Sequence, residues 1–411
     1  MDRQVRCCIA GGGPAGMMLG FLLARAGFDV VVLEKHADFF RDFRGDTIHP
    51  STLQVMHELG LIERFLALPH QEIETATARI GDLTVTLADF RHLPTACKFI
   101  AMMPQWEFLN FLASEARAYP SFHLELNAQA TDLLFDGQRV AGVRATTPRG
   151  DREIRADLVV AADGRGSLLR ERARLPVSEL GAPMDVLWLR LSRRPSDARD
   201  LLGTVDAGKI FVMFDRGDYW QCAFVIPKGG IDAVRARGLP AFRGDLAALV
   251  PFLGDRVGEL RDWSEVKLLT VRVDRLRRWY RPGFVCIGDA AHAMSPIGGV
   301  GVNLAVQDAV AAANILTAAL HRGRIGVRPL RALQRRRALP TAVTQRFQLF
   351  IQNAVIGRVL TSTTSLRAPR ALGLFNRFPF LRRLPAYFVG LGVRPEHVRG
   401  PDAEAARETS P

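Results

Sequence analysis

The sequence predicts an α/β protein whose doubly wound domain carries an inserted, mainly β domain and a helical C-terminal region. Three patterns predict it: a glycine-rich turn between an apolar strand and a helix at residues 5–26, an apolar strand followed by a Pro- and Gly-rich loop at 284–301, and several strand-like runs at 186–273. An apolar strand that leads through glycines into a helix is typical of a doubly wound sheet, whereas successive strands without helices indicate a separate β layer.

The same patterns predict where the domains divide. A chain of 411 residues is long enough for two interwoven domains. We expect a discontinuous α/β domain at residues 1–75, 95–180 and 275–340, a β domain at 76–94 and 181–274, a helical region at 341–398, and a disordered tail at 399–411.

The first segment carries a phosphate-binding pattern. A strand at Val5–Ala10 leads into glycines with G-x-G-x-x-G spacing, and a helix follows over Met17–Ala26. The first glycine permits a tight turn, the second lets the backbone approach a pyrophosphate, and the third lets the helix pack on the strand. The helix N-terminus then offers N–H groups to phosphate oxygens. The candidate contacts are Gly11, Gly13, Pro14, Ala15 and Gly16.

An acidic residue ends the second strand of this unit. The apolar run Phe28–Leu33 is followed by Glu34, and then by Lys35. A carboxylate at this strand tip accepts hydrogen bonds from the ribose hydroxyls of an adenosine, so both residues are candidate cofactor contacts. This segment alone does not decide between FAD and NAD.

Two polar residues outside the glycine motif are further candidates. Arg44 lies at the mouth of the predicted cradle, where a guanidinium can pair with a pyrophosphate. Gln105 opens a predicted amphipathic helix and is placed to hydrogen-bond a polyol chain. Each residue alone fits a surface ion pair or a helix cap equally well. They are candidate cofactor contacts only in combination with the other motifs.

A predicted β-meander over residues 130–162 ends in an Asp-Gly pair. It delivers Asp163 and Gly164 to the end of an apolar strand, and Ser167 and Arg170 follow. An Asp-Gly pair is common after a strand, so Asp163 is a candidate only in combination with the other segments.

The segment at 283–308 carries the most specific pattern. A strand at Phe284–Ile287 delivers Gly288 and Asp289 to its carboxyl end, and a Gly-rich loop leads into a helix from about Val302. Asp289 is placed to accept a hydrogen bond from a ribityl hydroxyl, while amides at a helix N-terminus can hold negative charge on a reduced flavin ring. The candidate contacts in the loop and helix start are Pro296, Gly299, Val300, Gly301, Val302 and Asn303.

Together these motifs resemble those of the flavin-dependent aromatic hydroxylases, the single-component, para-hydroxybenzoate hydroxylase-like monooxygenases. The resemblance spans residues 9 to 308. It implies a Rossmann-like FAD-binding domain, bound FAD, NADPH or NADH as reductant, and hydroxylation of an aromatic or polyketide-like small molecule with O2 through a C4a-hydroperoxyflavin. The family often has Gln or His where this chain has Val300, at a position whose amide meets the flavin.

Three alternatives use the same scaffold or cofactor. A flavin-dependent halogenase is disfavoured, because the Trp-x-Trp-x-Ile-Pro stretch is missing near Trp220 and no lysine follows Gly16 until Lys35. A flavin-dependent reductase of isoprenoid double bonds and a non-catalytic flavin-binding protein stay open.

No catalytic residue follows from the sequence pattern, which suits a protein whose cofactor carries the chemistry. His49 is a candidate for contact with substrate, whereas His292 lies within the flavin motif and is expected to be structural. The strand-like runs at 186–273 are expected to roof the substrate face of the flavin. Their large apolar residues are candidates for that pocket or for ordinary sheet packing: Trp188, Phe214, Trp220, Phe224 and Trp263.

The composition limits which kinds of partner and metal site we expect. The formal charge is +13, but the basic residues are scattered without an aromatic–basic recognition module, so no nucleic acid is expected. The five cysteines lack metal-ligand spacing, so no metal is expected, and a reduced, cytoplasmic protein is the default. Contact of residues 328–397 with a membrane surface is the less favoured interpretation of that Arg-rich, apolar region. The oligomeric state is not determined by the sequence.

Overall fold

The structure, a computed structural model, describes residues 3–40, 47–197, 203–206, 208–323, 325–362, 364, 368–400 and 402. Within these residues the strands are β1 Arg3–Ala10, β2 Val30–Leu33, β3 Thr47–Ile48, β4 Gln71–Ile73, β5 Thr75–Ile80, β6 Leu83–Asp89, β7 Ile100–Met102, β8 Phe122–Glu125, β9 Gln129–Asp136, β10 Arg139–Thr147, β11 Gly150–Ala161, β12 Val177–Glu179, β13 Met184–Ser192, β14 Gly203–Asp206, β15 Lys209–Asp215, β16 Tyr219–Pro227, β17 Lys267–Leu269, β18 Asp274–Leu276, β19 Tyr280–Arg281 and β20 Phe284–Cys286. The α-helices are α1 Pro14–Arg25, α2 Pro50–Glu58, α3 Ile62–Leu66, α4 Gln105–Ala116, α5 Leu168–Arg172, α6 Ile231–Ala236, α7 Leu239–Leu249, α8 Gly301–His321, α9 Val327–Ile351, α10 Gly357–Leu360, α11 Gly373–Arg377 and α12 Arg383–Gly390.

A mostly parallel sheet forms the centre of the α/β domain. Its strands follow the order β19-β20-β11-β1-β2-β8, and β9 and β10 extend it as an antiparallel meander beside β11. Alternate residues of β1 enter two different cores: Cys7 and Ile9 pack with α1, α4 and α8, whereas Cys8 and Ala10 pack with the meander and α5. This period of two is why the parallel strands read as continuous apolar runs.

The second large sheet has the order β17-β13-β16-β15-β14-β5-β6. One face packs under α6 and α7 through residues such as Leu189 and Phe211, and the other face contacts α9, α10 and the loop before α8. Because this sheet is inserted between segments of the parallel sheet, the predicted fold class is confirmed: a doubly wound α/β domain, an inserted mainly β domain and a helical C-terminal region.

The C-terminal region begins with one long helix. α9 runs without interruption from Val327 to Ile351, through the predicted boundary after residue 340. Pro340 lies inside α9. The helix continues through it because a proline removes only one N–H donor and because α9 packs on α8. A π-helical turn at Gln352–Ile356 then leads into α10, and short helices occur only from there onward.

The last described residues contact the α/β domain. Arg25 donates to the carbonyl oxygen of Gly400 at 3.2 Å and pairs with Asp402, also at 3.2 Å. The rest of the predicted tail, residues 401 and 403–411, lies outside the described residues.

One described segment, Ile297–His321, is long and apolar enough to cross a membrane. Of its most apolar stretch, 78% is buried inside the fold, where α8 packs against α1. It therefore serves as a core helix of the α/β domain.

Candidate cofactor site

The glycine turn after β1 contains one open position. A Cβ on Gly11, whose φ is +109°, would lie 2.3 Å from the carbonyl oxygen of Ala162, and a Cβ on Gly16 would lie 1.9 Å from that of Gly11. These two glycines are therefore required by the close approach of β1, β11 and α1. A Cβ on Gly13 would meet nothing within 4 Å, so the space above Gly13 is free for a ligand.

Helix α1 presents its N-terminus to that space. It begins at Pro14, three residues earlier than predicted, because proline fits the first helical position, where no N–H is needed. No side chain caps it, so the N–H groups of Ala15 and Gly16 have no intrahelical acceptor and point toward an incoming anion. The end of β20 lies against the start of α1, since a Cβ on Gly288 would lie 3.1 Å from Cβ of Ala15.

Glu34 lies where β2 ends, beside the glycine turn. Its carboxylate accepts hydrogen bonds from the N–H of Gly12 at 2.9 Å and from that of His36 at 3.1 Å. The predicted ribose acceptor is thus held next to the open glycine, while the neighbouring Lys35 is exposed. Arg44, the predicted pyrophosphate partner, lies outside the described residues.

The turn after β11 carries a buried carboxylate. Asp163 accepts a hydrogen bond from the N–H of Leu169 at 3.3 Å through Oδ2, and its Oδ1 is buried with no hydrogen-bond partner among the described residues. Burial raises the pKa of Asp163. Arg170 braces the turn: it donates to the carbonyl oxygen of Ala290 at 3.3 Å and lies 3.5 Å from the carboxylate of Asp274. The Asp-Gly segment is therefore fastened to the end of β20.

Asp289 follows β20 and faces the same region. Its side chain is 41% exposed, and its Oδ2 lies 3.9 Å from Nε of Arg165 in the turn after β11. The carboxyl ends of β11 and β20 thus place a carboxylate at the rim of the site. Contact of Asp289 with a ribityl hydroxyl stays a prediction.

The Gly-rich loop, residues 293–300, is locked to the segment that contains β3. Gly299 has φ +64°, and a Cβ on it would lie 2.3 Å from Oγ1 of Thr47. Thr47 donates to the carbonyl oxygen of Gly299 at 2.9 Å. Asn303 donates to the Thr47 carbonyl at 3.2 Å and accepts from the N–H of His49 at 2.8 Å. Asn303 therefore positions the loop through protein contacts.

The amides of the loop divide into two groups. The N–H of Gly299 donates to the carbonyl oxygen of Pro296 at 3.0 Å, so it is already used. α8 begins at Gly301 without a side-chain cap, and the N–H groups of Gly301 and Val302 belong to its first turn, which lacks intrahelical acceptors. Val300 immediately precedes that turn, so these amides are the ones available to a negatively charged group.

Three glutamines of α9 and the turn after it hold the Gly-rich loop from behind, and sequence analysis missed them. Gln348 donates to the carbonyl oxygen of Ser295 at 3.0 Å and accepts from its N–H at 3.2 Å. Gln352 donates to the Ser295 hydroxyl at 2.7 Å, and Gln345 donates to the carbonyl oxygen of Ala293 at 3.0 Å. Their spacing of three and four residues places them on one helix face, which is the sequence signal that could have found them.

A buried ionic network lies beneath the loop. Asp308 pairs with His292 at 2.6 Å and with Arg337 at 2.8 Å, and it accepts the N–H of Gly288 at 3.0 Å. Arg337 reaches on to Glu396 at 3.4 Å. Burial alone would raise the pKa of Asp308, but the hydrogen bonds and electrostatic contacts of His292 and Arg337 lower it below its usual range. The network fixes the backbone beside Asp289, which agrees with a structural role for His292.

His49 lies under the C-terminal helices. It is fully buried at the start of α2, and its Nδ1 is 2.8 Å from the carbonyl oxygen of Val389 in α12. Burial lowers the pKa of His49 to about 4, so the imidazole is neutral at pH 7. The structure thus places it between the Gly-rich loop and α12, where it fastens α2.

Gln105 is the first residue of α4, which packs on α1. Its side chain is half-buried and makes no hydrogen bond to a described residue, so it is available to a ligand.

Four of the five aromatic pocket candidates lie on strands of the second sheet and face two different sides, whereas Trp263 lies in a short 3-10 turn before β17. Trp220, Phe224 and Trp263 belong to the core under α6 and α7. Trp188 and Phe214 lie on the opposite face, which is turned toward the α/β domain, and their rings stack with centroids 6.0 Å apart. Strand alternation decides the division among the four strand residues. Trp220, Phe224 and Trp263 pack in the core under α6 and α7.

The arrangement fits a bound FAD. The open space at Gly13, the uncapped N-termini of α1 and α8, and the unpartnered Oδ1 of Asp163 all lie at the carboxyl edge of the parallel sheet. That edge is where doubly wound folds bind nucleotides. Among the described residues, no group of His, Cys, Asp and Glu could hold a metal ion.

Comparisons with known proteins agree with this geometry. The family model of the FAD binding domain matches residues 4–346. The 6-methylpretetramide 4-monooxygenase of Streptomyces rimosus is 32% identical over 91% of this chain and 90% of the relative. An uncharacterized aromatic compound monooxygenase of Bacillus subtilis is 29% identical over 75% of this chain but only 61% of the relative. The crystal structure of PqsL, a probable FAD-dependent monooxygenase of Pseudomonas aeruginosa, superposes with a TM-score of 0.74 at 20% identity, covering 87% of this chain and 98% of PqsL, and so supports the fold.

Proposed function

This chain belongs to the FAD-binding-domain family and is an FAD-dependent monooxygenase, and we propose that it hydroxylates an aromatic, polyketide-like small molecule with NAD(P)H and O2. The relative from Streptomyces rimosus, which is matched over 90% of its length, acts by its name on 6-methylpretetramide. That full-length similarity favours a substrate of the same class, and it favours a monooxygenase over the reductase, halogenase and non-catalytic alternatives.

The observation that carries the proposal is the meeting of the predicted motifs at one edge of the parallel sheet. The open position at Gly13, the carboxylates of Glu34 and Asp289, and the N-terminus of α8 come from four separate segments. Each offers what one part of FAD requires: an anion site, a ribose acceptor, a ribityl acceptor and a positive helix end.

The residues would share the cofactor as follows. The pyrophosphate would be held by Gly13, Ala15 and Gly16. Glu34 would bind the adenosine ribose. Asp289 and Gln105 would hold the ribityl chain, and the amides from Val300 to Val302 the flavin ring. When bound, FAD supplies electron transfer from NAD(P)H and the activation of O2. The protein supplies orientation and shelter from water.

We place the substrate between the flavin edge and the inner face of the second sheet. Trp188 and Phe214 provide a stacked aromatic wall there. Aromatic side chains bind flat apolar rings with large contact area and preferred stacking geometry, which suits an aromatic substrate.

The test is the absorbance spectrum of the purified protein, followed by NADPH oxidation in air with and without a panel of phenols and polycyclic aromatic polyketides. We expect a flavin spectrum, oxidation stimulated by one substrate class, and a product with one added oxygen atom. Protein that remains colourless after reconstitution with FAD would overturn the assignment. Turnover under anaerobic conditions would indicate the reductase, a halogenated product made with chloride or bromide the halogenase, and failure of NADPH to reduce bound flavin the non-catalytic protein.

A matched pair of variants tests the substrate wall. Phe214→Ala is expected to raise KM for the substrate several-fold with the fold intact. Phe224→Ala, in the same sheet but in the opposite core, is expected to lower stability by about 3–5 kcal/mol. Unchanged KM and product in the Phe214 variant would place the substrate elsewhere.

A further inference from the structure

The net positive charge of the chain comes from one segment. Residues 309–395 contain fifteen Arg and neither Asp nor Glu, whereas the rest of the chain has forty Lys and Arg against 42 Asp and Glu. The basic residues are thus scattered along the whole sequence, but the unbalanced charge is confined to the segment from the middle of α8 to just beyond α12.

The same segment exposes large apolar side chains. Phe350 is 66% exposed, Phe380 61% and Leu384 77%. Further large apolar residues of this region are also exposed: Phe347, Leu374, Phe378 and Tyr387. Scattered single exposures need no explanation, but a group from one region of the fold indicates a contact surface.

These side chains form one surface, which we call the C-terminal apolar surface. Phe347 of α9 packs against Phe388 of α12 with ring centroids 4.5 Å apart. Phe378 and Phe380 lie in the turn before α12, with their ring centroids 6.1 Å apart. The surface therefore runs from α9 across α12 to the end of α11.

Unpaired arginines surround this surface. Arg370, Arg377 and Arg383 are exposed, and none of them makes an ion pair with a described residue. In addition, the guanidinium of Arg377 lies over the ring of Phe378 at 5.8 Å. Exposed Phe, Leu and Tyr beside unpaired arginines are the composition of a protein face that lies in the headgroup region of a negatively charged bilayer.

We propose that the C-terminal apolar surface docks this enzyme on an anionic phospholipid membrane. A second copy of the chain is a poor occupant, because a symmetric contact would bring the unpaired arginines of both copies together. Anionic headgroups neutralise the arginines, while the interface takes up the apolar side chains, so one partner satisfies both features.

Docking would act close to the cofactor site. The face of α9 opposite to Phe347 and Phe350 carries Gln345 and Gln348, which hold the Gly-rich loop. α12 likewise exposes Leu384 while its Val389 accepts the hydrogen bond from His49. The membrane would therefore lie one helix layer from the loop that holds the flavin, a position suited to an apolar substrate taken from the bilayer.

The experiment measures sedimentation of the FAD-loaded protein with vesicles of phosphatidylcholine alone and of phosphatidylcholine with about 30% phosphatidylglycerol. We expect binding only to the anionic vesicles, weakened by salt. The triple variant Arg370→Glu, Arg377→Glu and Arg383→Glu should lose binding by at least about tenfold. The double variant Phe380→Ser and Leu384→Ser should lose it to a similar extent, with the flavin spectrum and melting temperature retained.

A charge-matched control separates the surface from the net charge. Arg149, Arg155 and Arg235 are also exposed and make no ion pair with a described residue, but they lie outside the segment. The triple Glu variant at these positions should keep vesicle binding. Equal loss in both triple variants would overturn the proposal, as would absence of wild-type binding at low salt. Binding to a soluble acidic polypeptide but not to vesicles would also overturn it.

Insertion has its own readout, which does not depend on activity or on the proposed substrate. All five native cysteines are buried, so a polarity-sensitive fluorophore can be attached at Leu384→Cys. Its emission should shift to shorter wavelength on anionic vesicles, and an unshifted spectrum despite sedimentation would contradict docking through this surface.

Discussion

His49 donates a hydrogen bond from Nδ1 to the carbonyl oxygen of Val389 at 2.8 Å, across 340 residues of chain. The N–H of His49 also donates to Asn303 at the start of α8. A single buried residue thus fastens the C-terminal helices to the helix that begins in the Gly-rich loop.

Acidification is expected to destabilise the protein through His49. Its pKa is about 4 in the folded protein, against 6.5 for an unperturbed histidine, so between these values the unfolded chain binds a proton that the folded protein excludes. The free energy of unfolding should therefore be at its full value above pH 6.5 and fall as the pH drops toward 4, by about 3 kcal/mol from this group. Urea unfolding between neutral pH and the acid end of this window measures the decrease, which should be smaller in His49→Gln.

His57 provides the control, because it is exposed on the same helix α2. His57→Gln should retain the pH dependence of the wild type. Identical curves for wild type and His49→Gln would mean that the buried imidazole does not behave as described.

Replacing Gln348 by Leu should weaken FAD binding. The change keeps a side chain of similar size but removes the amide that binds the N–H and carbonyl groups of Ser295. Each buried group left without that partner costs about 1–3 kcal/mol. The Gly-rich loop then loses its support, and we expect the Kd for FAD to rise at least about tenfold. Flavin fluorescence titration of the apoprotein measures it. Arg335→Leu, on an exposed position of the same helix, should leave the Kd unchanged.

The open space at Gly13 predicts a variant that folds but does not bind cofactor. Gly13→Ala places a methyl group where no protein atom lies within 4 Å, so the melting temperature of the apoprotein should change little. If the pyrophosphate occupies that space, the same methyl group blocks it and FAD binding is lost. Gly244→Ala, at another open position within α7, should bind FAD normally. Normal FAD content in Gly13→Ala would contradict the proposed pyrophosphate site.

Two neighbouring arginines of α9 should differ in their effect on stability. Arg337 is buried between Asp308 and Glu396, and Arg337→Met removes the buried cation that these two carboxylates share, at a cost of about 3–5 kcal/mol. Arg336 pairs with the same Glu396, but its side chain is 29% exposed, so Arg336→Met should cost about 1 kcal/mol or less. Chemical denaturation compares them, and equal losses would show that the ionic network does not support the fold.

Local patterns were sufficient for the fold class and for the presence of a dinucleotide cradle. The glycine spacing after β1 and the acid after β2 involve residues that are neighbours along the chain, so their geometry follows from strand, turn and helix rules. The alternation of β13 and β16 was also visible, but the sequence did not show which face would be turned toward the α/β domain. Trp188 and Trp220 therefore looked alike until the sheet had a partner on each side.

The sequence by itself determined that a doubly wound domain presents a dinucleotide cradle, because contiguous residues encode it. Only the tertiary structure decided how the site is held: Asn303 meets Thr47 across 256 residues, and Gln348 meets Ser295 across 53. Such contacts depend on how helices pack on two sheets, which no local periodicity encodes. The same packing turned an Arg-rich, apolar stretch of sequence into one exposed surface.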